Sequence, residues 1–243
     1  SYGFGTETVI SDNVVKKLDS YASEIDAGIT ALGVSTSIPG NNSIISNNTV
    51  TGFSTGIDVR GADVLVTGNK VFQFDNVGIG SFSANKVTVE GNVIGGYVAS
   101  ADTNKFGQGV RVFVGSDVSI FGNKISEVKM GVFTSSTSEV VIKANLIKRV
   151  GIGITVGGTS AIVEDNTLVQ GDLSALGFKA EYAIQATGST LAATIKSNHI
   201  REFSATPIYS YKATCKVVDN FLDGVKSYSA IQLNGDNHYV MGN

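Results

Sequence analysis

Apolar residues alternate with polar ones just ahead of an asparagine, and this phrase, apolar-x-apolar-x-x-Asn, runs the length of the chain. "VLVTGNKV" (64–71) and "VSIFGNKI" (118–125) are two copies of it. Aligned copies end at Asn13, Asn48, Asn69, Asn92, Asn123, Asn145, Asn166, Asn198, Asn220 and Asn243, at intervals of 35, 21, 23, 31, 22, 21, 32, 22 and 23 residues. A base period of 21 to 23 residues predicts stacked repeats of one structural unit. Leucine-rich repeats share that length but need a leucine consensus, and helical repeats need a longer apolar period; the chain has neither.

Inside a period the alternation has the period of two that marks a strand, and it occurs three times. Before the asparagine come pairs such as Val64/Val66, Val87/Val89, Val118/Ile120 and Val140/Ile142. Two residues after it comes a single apolar residue: Val71, Ile94, Ile125, Ile147, Leu168, Ile200 or Leu222. Further on comes Gly followed by an apolar residue, as in "GIDV" (56), "GIGS" (78), "GVRV" (109), "GVFT" (131) and "GITV" (153). Three short strands per turn predict an all-β solenoid, a parallel β-helix of about nine coils forming a single domain over residues 1–243. The asparagine fits a tight corner, because Asn tolerates the left-handed backbone region and its amide can bond its equivalents above and below in a ladder.

Composition narrows the function. The chain has 29 Gly, only 2 Pro, 16% charged residues and a net charge of −3. That balance offers no basic field for nucleic acid, and no apolar run is long enough for membrane insertion. The single cysteine, Cys215, excludes an internal disulfide framework, and no Cys/His spacing suits zinc; no cofactor and no metal are expected. His199 follows a corner asparagine and His238 lies near the end, positions that suit neither for catalysis. "GIGITVGG" (151–158) is glycine-rich like a phosphate loop but has no helix after it. Asn41 and Asn47 match the glycosylation pattern, as an Asn-rich chain often does by chance.

The pattern resembles the right-handed parallel β-helix of the pectate-lyase-like superfamily over essentially the whole chain. The resemblance implies that the asparagine corner is the tight second turn and that the Gly-led strand lines the substrate cleft. The signatures of its best-known enzymes are missing: there is no Asn-Thr-Asp, Gly-His-Gly or Arg-Ile-Lys, and no Arg-x-Pro-x-x-Arg. "YGFG" at Tyr2 to Gly5 lacks the Asp-Pro-His that completes the similar motif of mannuronan epimerases. With no capping helix at either end, the chain reads as part of a longer protein.

The long intervals are the first, fourth and seventh, and each is expected to place its extra residues in one corner, between the strand after Asn and the Gly-led strand. They are "LDSYASEIDAG" (18–28), "YVASADTNKFGQ" (97–108) and "GDLSALGFKAEY" (171–182). Loops three coils apart leave notches roughly 14 Å wide, enough for a few sugar units. If Ile57, Ile79, Val110, Val132, Ile154, Ile184, Ile208 and Ile231 point inward, the following residues point out. That column reads Asp58, Gly80, Arg111, Phe133, Thr155, Gln185, Tyr209, Gln232, and the column two residues on reads Arg60, Phe82, Phe113, Ser135, Gly157, Thr187, Tyr211, Asn234. A chain poor in charge thus gathers Asp58, Arg60, Phe82, Arg111, Phe113, Phe133, Tyr209 and Tyr211 on one strip, chemistry that suits sugar rings and acidic sugars.

Glycoside hydrolysis needs two carboxyls, about 5 Å apart for retention or about 6.5–9.5 Å for inversion. Asp58 on the floor could pair with Glu24 or Asp26 (or Asp19) of the first loop, or with Asp102 of the second. A lyase would use a base with Arg60, Arg111 and Lys105 neutralising a uronate. Asp172, Lys179 and Glu181 in the third loop are further candidates. On the second face, Val9, Ile44, Leu65, Val141 and Ile162 form an apolar column that suggests a packed neighbour. Phage tailspikes resemble this chain in lacking disulfides and in being Asn/Gly/Ser-rich coils, and the resemblance implies a side-by-side homotrimer. The expectation is therefore a tailspike body on a virion tail that binds and cleaves a bacterial surface polysaccharide as a glycoside hydrolase. The alternatives are a non-catalytic glycan-binding solenoid and a secreted lyase or epimerase.

Overall fold

The computed structural model describes residues 2–3, 7–17, 27–32, 42–96, 107–176, 179–188 and 191–243. Its strands pair only with their equivalents one coil before and one coil after, always in parallel, so the chain winds into a parallel β-helix. Ala62–Thr67 lies between Asn42–Ser46 and the second half of Val77–Glu90. Lys70–Phe72 lies between Thr49–Thr51 and Val93–Gly95. Thr55–Arg60 lies between Ala27–Leu32 and the first half of Val77–Glu90. In the middle coils the corners are so short that strands run together, as in Lys124–Lys143.

Columns of like residues fill the interior. Ile57, Ile79, Val110, Val132, Ile154, Ile184, Ile208 and Ile231 are direct register partners from coil to coil, and all but the last are fully buried. The glycine before Ile57, Ile79, Val110, Val132 and Ile154 is there because the coils approach closely: a Cβ on Gly131 would sit 2.5 Å from the carbonyl oxygen of Gly153.

The asparagines form one continuous ladder. Each side-chain amide donates to the Oδ1 of the next, for example Asn69 to Asn92 at 3.0 Å and Asn145 to Asn166 at 3.0 Å. The backbone N–H donates to the same oxygen, as from Asn69 at 2.9 Å, and a second amide hydrogen reaches a carbonyl of the preceding coil, as from Asn69 to Ile45 at 2.8 Å. Satisfying a buried amide this fully is what makes a polar core column tolerable.

Two expectations need correction. The left-handed residue of the corner is the one before the asparagine: Asp12, Asn47, Gly68, Gly91, Gly122, Ala144, Asp165, Ser197, Asp219 and Gly242 have φ between 53° and 67°. Those residues turn outward, freeing the asparagine to point in. The first long interval also divides its extra residues between two corners, because residues 33–41 join Ala27–Leu32 to Asn42–Ser46, where the next coil uses Gly61 alone.

Candidate functional site

The strip anticipated from residue parity exists as a register. Asp58, Gly80, Arg111, Phe133, Thr155, Gln185, Tyr209 and Gln232 are successive partners along the helix axis. Beside them Phe82 pairs with Phe113, and Phe113 with Ser135. Thr187 pairs with Tyr211, and Tyr211 with Asn234.

At its N-terminal end the strip becomes a cluster. Asp58 occupies an outward position of the strand yet is only 8% exposed, and the Arg60 side chain two residues on pairs with it. Arg60 Nη2 donates to Asp58 Oδ2 at 3.1 Å, while Asp58 Oδ1 is buried with no hydrogen-bond partner among the described residues. Burial raises the Asp58 pKa above the ordinary carboxylate value, and the charge and hydrogen bond of Arg60 offset only part of that rise. One ring pair carries both guanidiniums: Arg60 lies 5.8 Å from the centroid of Phe82, and Arg111 lies 5.0 Å from Phe82 and 5.6 Å from Phe113. The two rings are 6.3 Å apart and tilted by 51°. Burial lowers the Arg111 pKa from a very high ordinary value, so the group stays cationic. A buried acid able to hold or release a proton, flanked by two cations on aromatic faces, suits an anionic sugar at a site of proton transfer.

Glu24, Asp26, Asp102, Asp19 and Lys105 lie outside the described residues. In the third loop, Asp172 accepts from the backbone N–H of Ser174 at 2.8 Å, and this bond holds its pKa below the ordinary range. Asp172 and Lys179 line a cavity of about 630 Å³ with Gln170, Glu202 and Lys226. Glu181 does not line it.

Farther along the strip, Tyr182 stacks on Tyr209 with centroids 4.6 Å apart and planes 16° from parallel. Tyr182 closes the third insertion, and sequence periodicity gave it no role; an aromatic one coil before Tyr209 was the signal available. Phe133 is half-buried and Tyr211 is 49% exposed. Among the described residues no group of His, Cys, Asp and Glu could hold a metal ion.

A family model described as a right handed beta helix region matches residues 27–200. The chain is 34% identical to uncharacterized protein YclG of Bacillus subtilis (strain 168) over its whole length, and it spans 41% of that relative. Among solved structures, alginate lyase from Paenibacillus sp. str. FPU-7 is 14% identical and superposes with a TM-score of 0.59, covering 98% of this chain and 89% of that one. Dettilon tailspike protein, 14% identical, gives a TM-score of 0.45 over 92% of this chain and 52% of its own, too distant to argue from. With its stacked coils, its asparagine ladder and this match in hand, the chain belongs to the right handed beta helix family.

Proposed function

We propose that this coil binds an acidic polysaccharide along the Gly-led face and cleaves it, with Asp58 as the proton-transferring group and Arg60 and Arg111 holding a sugar carboxylate. The observation that carries the reading is the buried, half-satisfied Asp58 carboxyl beside two guanidiniums on the rings of Phe82 and Phe113. A fold shared with an alginate lyase supports it at the level of architecture.

Hydrolysis remains the reading if a second carboxyl comes from Glu24, Asp26 or Asp102. Elimination is the second reading, favoured by one observation: a base and two neutralising cations are already together in this cluster. Elimination takes the C5 proton next to the carboxylate onto the base, forms the C4–C5 double bond as the C4–O bond breaks, and returns a proton from the base or water to the departing oxygen, leaving an unsaturated sugar. Products of an acidic polysaccharide digest separate the two: new reducing ends without ultraviolet absorption mean hydrolysis, and absorbing unsaturated ends mean elimination. Retention of the glycan with no shortening overturns cleavage and leaves a binding module.

The same reading places the protein outside the cell, on a virion tail or secreted, where bacterial surface glycans are exposed. A side-by-side homotrimer is supported by the apolar column on the second face, where Val9, Ile44 and Ile162 are 65%, 37% and 38% exposed. Light scattering on the purified chain tests it, and a monomer at micromolar concentration contradicts it.

A further inference from the structure

The charge of the strip stops abruptly, and the stop describes the substrate. After Arg111 the outward columns continue as Phe133, Thr155, Gln185, Tyr209 and Gln232, beside Ser135, Gly157, Thr187, Tyr211 and Asn234, all of them uncharged. Where the second column leaves Phe113, a depression of about 470 Å³ opens at the corner to the pre-asparagine strand. Ser135, Ser136, Ser138, Thr159 and Thr187 line it over a floor that includes Gly157, and no charged side chain takes part. Ser136 and Thr159 are exposed. Thr137 is buried at the bottom, its hydroxyl donating to the Gly157 carbonyl at 3.0 Å.

Resting on the acidic-polysaccharide reading, we infer that the substrate is a heteropolysaccharide in which an acidic sugar at Arg60 and Arg111 is followed by neutral sugars over the hydroxyl-lined depression. From the Arg111 rung to the Thr187 rung is three coils, about 14 Å at a rise of about 4.8 Å per coil, room for more than one ring. A uniform polyuronate would set a carboxylate over each of those rungs, partly desolvated and with no cation among the side chains that line the depression. Neutral rings instead exchange hydroxyl hydrogen bonds with Ser and Thr, which both donate and accept. The bare floor leaves the depth that a pyranose needs.

The test uses the full chain and three glycans of matched size: alginate as a homopolyuronate, gellan as a polymer carrying one acidic sugar among neutral ones, and a neutral glucan. Calorimetric titration is expected to show gellan binding at least about tenfold more tightly than alginate, with the glucan weakest. Thr187→Lys places a cation over the depression and is expected to raise alginate affinity several-fold while lowering that for gellan. Gly157→Ala adds a methyl group whose nearest neighbour, the Thr134 carbonyl oxygen, is 3.4 Å away, so the fold accepts it; gellan affinity is expected to drop and alginate affinity to hold. Equal affinity for alginate and gellan, or an unchanged ratio in Thr187→Lys with an unaltered melting temperature, overturns this inference alone. Failure of every acidic glycan to bind removes the acidic-polysaccharide reading beneath it.

Discussion

Asn92 donates its side-chain amide to Asn123 Oδ1 at 3.0 Å, across 31 residues of chain that include the second insertion. The neighbouring bond from Asn123 to Asn145 has the same length across 22 residues. This insertion therefore leaves the ladder undisturbed, and the rungs on either side keep their register.

That ladder is a buried polar column, so removing one member should orphan its neighbours. Asn123→Ala deletes the donors to Asn145, Val89 and Phe121 and the acceptor for Asn92. The expected loss is about 2–4 kcal/mol, read from urea unfolding. A loss below about 1 kcal/mol would mean the ladder is not a cooperative core feature.

The pH dependence follows from Asp58. Burial makes the folded state hold this proton to higher pH than the unfolded chain does. Between the ordinary aspartate value and the raised one the folded state binds more protons, so stability falls as pH rises through that window. Asp58→Asn should flatten the fall, melt no lower than the parent at neutral pH, and lose about 10²–10⁴ in cleavage rate. Parallel melting profiles for parent and variant across that range would remove the case for a perturbed carboxyl.

Much of this was legible in the chain because two anchors act together. The asparagine fixes phase within each coil, and a period of two fixes which residues face out, so Asp58, Arg111 and Tyr209 could be placed on one line before any coordinates. What spacing cannot give is the path within an interval, which is why the first insertion reads as one loop although it divides between residues 18–26 and 33–41. Parity likewise marks Asp58 as outward but not as covered, since burial depends on side-chain packing that a period of two does not encode. The corner conformation was misassigned for a related reason: Asn favours the left-handed region in general, but here its side chain is needed inside, and the preceding residue takes the turn.

Arg111 is expected to resist conservative replacement. Its guanidinium lies 5.0 Å and 5.6 Å from the centroids of two phenyl rings, and a planar, weakly hydrated cation suits such a place better than an ammonium. Arg111→Lys should weaken acidic-glycan binding by about tenfold and Arg111→Ala somewhat more, with unfolding midpoints little changed. Wild-type affinity in the lysine variant would show that charge alone suffices.

Val114 gives a stability test beside the site. It follows Phe113 with φ of 59°, a left-handed conformation that a β-branched residue resists, while the corresponding corners use Gly61, Ser83, Ser136, Gly158 and Gly188. It is also 43% exposed, so little packing is lost on truncation. Val114→Gly should stabilise by about 1 kcal/mol, raising the melting temperature by about 2–4 °C. A lower melting temperature would mean that Val114 packs more than its exposure suggests.

The most direct measurement is a calorimetric titration of Asp58→Asn protein with an acidic polysaccharide, run beside the same protein carrying Arg60→Ala and Arg111→Ala. Saturable binding without chain shortening, abolished by the paired arginine changes, is the predicted result. Undiminished binding after both arginines are removed would contradict a site on this face.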